Sequence, residues 1–175
     1  AGMFSANVPP WHNIATIVSG CQNSREAIQL AHLDHEMYKA EMYAVLPDGS
    51  QVKVPDLRAI VRMDVNRPLA VVGNDYEIFQ NAEAFDLMDT IVGEGQAAYE
   101  TAGGLDEGRK VWLLARMPKT IHVGNDEINP YILLANSHDR TLSLRMIPTS
   151  VRVVCQNTLN LALNKKGSRW LSIRH

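Results

Sequence analysis

Between Asn81 and Val92 the apolar side chains Ala84, Phe85, Leu87, Met88, Ile91 and Val92 fall at i, i+1, i+3, i+4, i+7 and i+8, a spacing that gathers them on one helical face. Asn81 stands where an N-cap belongs, Glu83 lies in the first turn, and Gly93 and Gly95 close the element. Upstream the pattern is that of strands. Met37 to Val45 ends at the turn tripeptide Pro47-Asp48-Gly49, Arg58 to Met63 follows, and Asn66-Arg67-Pro68 leads into Leu69 to Val72. Three short runs separated by turns predict an antiparallel meander.

Downstream, Ala98 to Ala102 and Lys110 to Ala115 flank the predicted loop Gly103 to Gly108. Ile128 to Asn136 and Thr141 to Met146 flank a second loop, Ser137 to Arg140. A further apolar stretch starts at Val151 and turns helical from Asn157 to Leu163. Near the beginning, Ala27, Ile28, Leu30, Ala31 and Leu33 suit a short helix with Ser24 as N-cap, after an irregular lead from Phe4 to Gly20. This order predicts the α+β class: an antiparallel sheet of meander and hairpins packed against helices, around a β-β-β-α core. Residues 11–175 are read as one domain, and residues 1–10 as a tag remnant and irregular N-terminus. Trp170 to His175 reads as a strand just beginning, so the chain is expected to be truncated at its C-terminus.

Composition changes little. Hydrophobic residues make up 46% and charged residues 21%, ordinary for a globular domain. No apolar run is long enough to span a bilayer and no signal pattern opens the chain, so no membrane partner is expected. Two cysteines far apart in sequence, Cys21 and Cys155, suit free thiols and a cytoplasmic location.

Charge changes the picture more. The last 36 residues, Arg140 to His175, hold Arg140, Arg145, Arg152, Lys165, Lys166, Arg169 and Arg174 and not one Asp or Glu, a net +7. The other 139 residues hold 10 basic and 19 acidic side chains, a net −9. A basic zone on an acidic body attracts polyanions to one surface. Arg145 and Arg152 fall on predicted strands, and Lys165-Lys166-Gly167-Ser168-Arg169-Trp170 sets three cations beside an aromatic ring. Cations neutralise phosphates, and an aromatic ring stacks on an unpaired base. The expected nucleic-acid-binding residues are therefore Arg145, Arg152, Lys165, Lys166, Arg169 and Arg174, with Trp170 and Trp112 as stacking candidates. No base-reading motif is present, so binding is expected at the backbone, with single-stranded DNA favoured.

Catalytic alternatives are thinner. Cys155 with His138 and Asn157 mimics a thiol-hydrolase set, yet Cys155 sits in an apolar run where a structural thiol is expected. His32 and His35 are three apart but lack further ligands, so no metal site is expected, and no glycine-rich loop carries a phosphate-binding lysine. No cofactor is expected.

Three blocks carry a resemblance: Val71 to Asn81 with Glu83-Ala84-Phe85; Tyr99 to Gly103 with Gly108 to Arg116; and Leu134 to Asp139 with Val151 to Leu159 and Ser172 to His175. Together they resemble the phage/plasmid-like family known as domain of unknown function 932. The resemblance implies a phage, plasmid or prophage origin and a chain that continues past Ser172-Ile173-Arg174-His175. A fainter likeness of the predicted core, to single-strand annealing recombinases, implies oligomeric rings with a basic groove for DNA. The reading is a non-catalytic nucleic-acid-binding homo-oligomer of a mobile element, acting in recombination or replication. The alternatives are a hydrolase using Cys155 and His138, or a structural or host-modulating phage protein.

Overall fold

The Pro47-Asp48-Gly49 turn joins β2 (Met37–Val45) to β3 (Gln51–Arg62) in the computed structural model, which describes residues 15–164 and 171–175. Gly49 takes the left-handed φ of +85° that the turn needs, and Asp48 accepts from the Ser50 N–H at 2.9 Å. Strand β4 (Arg67–Gly73) completes the meander, a three-stranded sheet ordered β2-β3-β4. The predicted strand from Arg58 is longer than expected, because β3 pairs with β2 all the way from the turn. β4 covers β3 only from Leu57 to Arg62, so Met42 to Asp56 project past it as a two-stranded arm.

The larger sheet has six strands, ordered β1-β5-β6-β9-β10-β11: β1 (Thr16–Ile17), β5 (Ala98–Leu105), β6 (Lys110–Arg116), β9 (Tyr131–Ser137), β10 (Leu144–Thr149) and β11 (Leu171–Ile173). Every pairing in it is antiparallel. The predicted run from Ile128 divides at Asn129-Pro130, leaving Ile128 in a small separate hairpin of β7 (Ile121–Val123) and β8 (Asp126–Ile128). Pro130 has no N–H to donate to a ladder, which suits the break.

β6 and β9 are buried on both faces, and their alternation sorts two cores. Val111, Leu113, Ala115, Ile132 and Leu134 face α1 (Ser24–Leu30) and α2 (Asn81–Gly93), meeting Ile28, Phe85 and Met88. Trp112, Leu114, Leu133 and Ala135 face the other way, against Leu159 and Ala162 of α3 (Gln156–Asn164) and Val153 before it. Three layers result, with α1 and α2 on one face of the sheet and α3 on the other. Gly103 and Gly104, expected in a loop, instead belong to β5. Gly103 lies opposite Trp112, and a Cβ there would overlap the indole ring, with Cη2 only 2.5 Å away. The glycine is a packing requirement.

Both predicted helix caps shift by one residue. Asn23, extended at φ −151°, caps α1 by accepting the Glu26 N–H at 2.9 Å. Ser24 is buried instead, because its N–H and Oγ donate to the Asp89 carboxylate of α2 at 2.5 and 2.8 Å. The Tyr99 hydroxyl donates to the same carboxylate, and burial followed by that bond raises its pKa. Gln80 precedes α2 as its cap residue, its N–H donating to Glu83 at 3.3 Å. Asn81 is spent on tertiary contacts described below. A helix of seven residues is too short to persist alone. The Asp89 contacts therefore hold α1 in place. Asp89→Ala strands the Ser24 N–H and the Tyr99 hydroxyl and leaves Ser24 Oγ only Asp86 at 3.2 Å, and is expected to lower stability by about 2–3 kcal/mol, read from urea midpoints. A loss under half of that would show that α1 is held by its apolar face alone.

The two sheets meet where β5 turns into β6. The turn Asp106–Gly108 has three successive left-handed residues, with φ of 49°, 62° and 93°. Arg62 donates to the Glu107 carbonyl at 2.9 Å and Arg67 pairs with the Glu107 carboxylate, so the meander clamps this strained turn. The end of the large sheet carrying this turn, the end of β9 and the start of β10 is called the upper end below.

Candidate nucleic-acid interface

β10 and β11 form one edge of the large sheet, paired from Leu144↔Ile173 to Met146↔Leu171. Leu144, Met146, Leu171 and Ile173 turn toward α1 and α2. The alternate positions Ser143, Arg145 and Ser172 share the opposite face. Arg145 Nε donates to Ser143 Oγ at 3.1 Å, and Ser143 and Ser172 hydroxyls lie 3.0 Å apart.

At the upper end this edge opens into a pocket of about 230 Å³ lined by Tyr76, Arg140, Leu142, Ser143, Arg174 and His175. Residues 34 positions apart in sequence, Arg140 and Arg174, thus converge on one opening whose described lining includes no Asp or Glu side chain. Asp139, next to Arg140, is engaged in accepting the Thr141 N–H at 3.0 Å. The His175 ring stacks on Tyr76, with centroids 4.9 Å apart and planes 9° from parallel, and Phe79 leans against it at 5.0 Å. Its Nδ1 meets the Glu77 carbonyl at 3.0 Å, while Nε2 has no partner among the described residues. Burial lowers the His175 pKa. Tyr76 donates to the Ser137 carbonyl at 3.3 Å, and burial raises its pKa to about 12, so the ring is neutral and fixed.

Beneath lies a polar core that the sequence did not announce. Asn81 Nδ2 donates to the Leu33 carbonyl at 2.8 Å, which turns Oδ1 toward His138 Nε2 at 2.9 Å. An amide oxygen only accepts, so Nε2 carries the imidazole proton and Nδ1 is left with a lone pair and no partner among the described residues. Burial, then the nearby His35 and His175, push the His138 pKa down to about 4, against a small opposing pull from Asp139. His35 is buried too, with both ring nitrogens unpartnered among the described residues and its pKa lowered by burial and by Arg62. Its Nε2 sits where a Cβ on Gly108 would come to 2.7 Å, which accounts for that glycine. Single histidines in loops and at strand ends gave no sign that the fold would assemble them.

The expected binding residues divide. Arg145 lies on β10 and Arg174 just past β11, on the same edge. Arg152 is a correction: it sits in the loop between β10 and α3, not on a strand, and its Nε pairs with Glu100 at 2.8 Å. Glu100 is the residue at the register shift between Tyr99 and Thr101, and Arg116 also approaches it at 4.0 Å. Trp112 is a second correction. It is fully buried in the core against α3, so neither face of its ring is open to a base. Lys165, Lys166, Arg169 and Trp170 lie outside the described residues. Arg140, which was counted only as charge, and His175 emerge as pocket residues.

The thiol alternative finds no geometric support. Cys155 Sγ lies 3.5 Å from Thr158 Oγ1, and hydrogen bonds from Thr158 lower its pKa, whereas His138 is committed to Asn81. No group of metal-ligating side chains stands together among the described residues, and no described helix is long and apolar enough to cross a membrane.

A family model described as Domain of unknown function (DUF932) matches residues 68–175, more than half of the chain. No curated protein and no solved structure matches it. The match spans β4, α2, five of the six strands of the large sheet and the whole pocket at its upper end, and the chain belongs to the DUF932 family.

Proposed function

We propose that the protein binds single-stranded nucleic acid, with DNA favoured, along the basic β10–β11 edge, and that it does so without catalysis. The observation that supports this best is the convergence of Arg140 and Arg174 with Ser143 on one pocket, beside the stacked rings of Tyr76 and His175. Two guanidinium groups and a hydroxyl suit a phosphodiester, and the neighbouring rings suit a base whose face is unpaired. The acid-free run from Arg140 to His175 supplies the long-range attraction. The expected setting is the cytoplasm, in recombination or replication of a mobile element.

Fluorescence anisotropy with labelled single- and double-stranded oligonucleotides tests this reading. Affinity should fall with salt at roughly 0.7 log units per phosphate contact per decade for single strands. Arg140→Glu with Arg174→Glu should weaken binding at least about tenfold, the equivalent of ~1.4 kcal/mol. Absence of binding at low salt, or full affinity in the double variant, would sink the proposal.

A further inference from the structure

Two apolar surfaces have no cover among the described residues, and they lie at opposite ends of the large sheet. The first is the projecting arm of β2 and β3. From Met42 to Asp56 these strands pair, among the described residues, only with each other, and Tyr43, Val45, Leu46 and Val52 are exposed, Val45 at 68%. A two-stranded hairpin alone in water is marginal, and its open edges and apolar side chains call for a partner. The arm leaves the meander at the Leu57–Gly73 pair, three residues before Tyr76, whose hydroxyl donates to the Ser137 carbonyl at the upper end of the large sheet.

The second is a groove of about 730 Å³ whose lining includes Met117, Pro118, Ile121, Pro130, Tyr131 and Pro148. These residues lie where β6 ends, β9 begins and β10 ends, which is the lower end of the large sheet. One wall is the β7–β8 hairpin, which pairs with no other described strand, and its Ile121 is 53% exposed.

We infer that copies of the chain join head to tail, the β2–β3 arm of one copy entering the apolar groove at the lower end of the next. The charges agree. From Met42 to Val52 the arm carries a single charged residue, Asp48 in its turn, and the groove lining carries a single charged residue, Lys119. An apolar tip with one carboxylate fits an apolar slot with one ammonium group. Because donor and acceptor surfaces differ, the contact does not close on itself in a pair and must build rings or open filaments. The inference stands independently of nucleic-acid binding.

A mixing experiment tests it. Val45→Glu with Leu46→Glu disables the arm and leaves the groove, while Lys119→Glu with Ile121→Glu disables the groove and leaves the arm. By sedimentation velocity at micromolar concentrations, the wild-type chain should form species larger than a dimer and each variant alone should be a monomer. An equal mixture should give a dimer and nothing larger, since only one working joint remains. Wild-type chain that stays monomeric, a variant that self-associates, or a mixture that stays monomeric would each overturn the inference. All four side chains lie at the surface, and circular dichroism melts matching the wild type would show that both variants fold. Charge reversal probes the same joint in a second way: Asp48→Lys or Lys119→Asp alone should weaken association, and the combined variant should regain it. Equal loss in all three argues against the joint.

Discussion

Truncation of Trp112 to Ala should lower the free energy of unfolding by about 3–5 kcal/mol, the range for removing a fully buried indole. The ring lies in the core between the large sheet and α3, and its burial removes a large apolar area from water. Its Nε1 finds no partner among the described residues, a cost that offsets part of the gain and favours the lower half of the range. Gly103→Ala pushes a methyl into the same ring and should cost about 1–3 kcal/mol by itself. In the Trp112→Ala background that methyl has room, so the double variant should be more stable than the sum of the single losses predicts. Urea unfolding of the four proteins measures the coupling. If Trp112→Ala instead left stability intact and reduced oligonucleotide affinity, the ring would be a stacking platform after all.

Acidification should destabilise the protein between pH 6.5 and 4. Folding lowers the His138 pKa from an ordinary 6.5 to about 4, so the unfolded chain binds this proton first as pH falls. The stabilising contribution is complete above pH 6.5 and is lost progressively down to about 4. The whole shift corresponds to about 3 kcal/mol at ~1.36 kcal/mol per pH unit. His35 moves in the same direction because it too is buried, with Arg62 reinforcing the effect and Asp64 and Asp34 opposing it. Asp139 is the acid that opposes protonation loss at His138. His138→Gln keeps a donor for Asn81 without a titrating ring, and should flatten the pH dependence of denaturant midpoints between pH 7.5 and 5. Identical pH profiles for variant and wild type would place the sensitivity elsewhere.

The elements that local chemistry determines were legible from residues alone. The Pro47-Asp48-Gly49 turn, the apolar face of α2 and the α+β class depend on neighbours a few positions apart, and all three stand. What failed depends on partners distant in sequence. Ser24 is a good N-cap by type, but Asp89, 65 residues away, claims its N–H and hydroxyl. Gly103 and Gly104 look like a loop until Trp112 is found across the ladder. Arg152 carries the charge expected of it, yet it lies in a loop and Glu100 of β5 pairs with its guanidinium group. The pocket was half visible: the tail's charge was plain, but neither its focus at Arg140 and Arg174 nor the rings behind it could be seen without the β10–β11 pairing.

β6 and β9 are neighbours in the ladder although the β7–β8 hairpin comes between them in sequence. The excursion leaves and returns through one contact, the Met117 N–H on the Pro130 carbonyl at 2.9 Å. Once its two feet are fixed, lengthening such a segment adds only a logarithmic entropy term, about 0.6 kcal/mol for each doubling. The tip at Gly124-Asn125 is therefore a permissive place for the chain to grow, able to accept inserted residues while the strands on either side keep their partners.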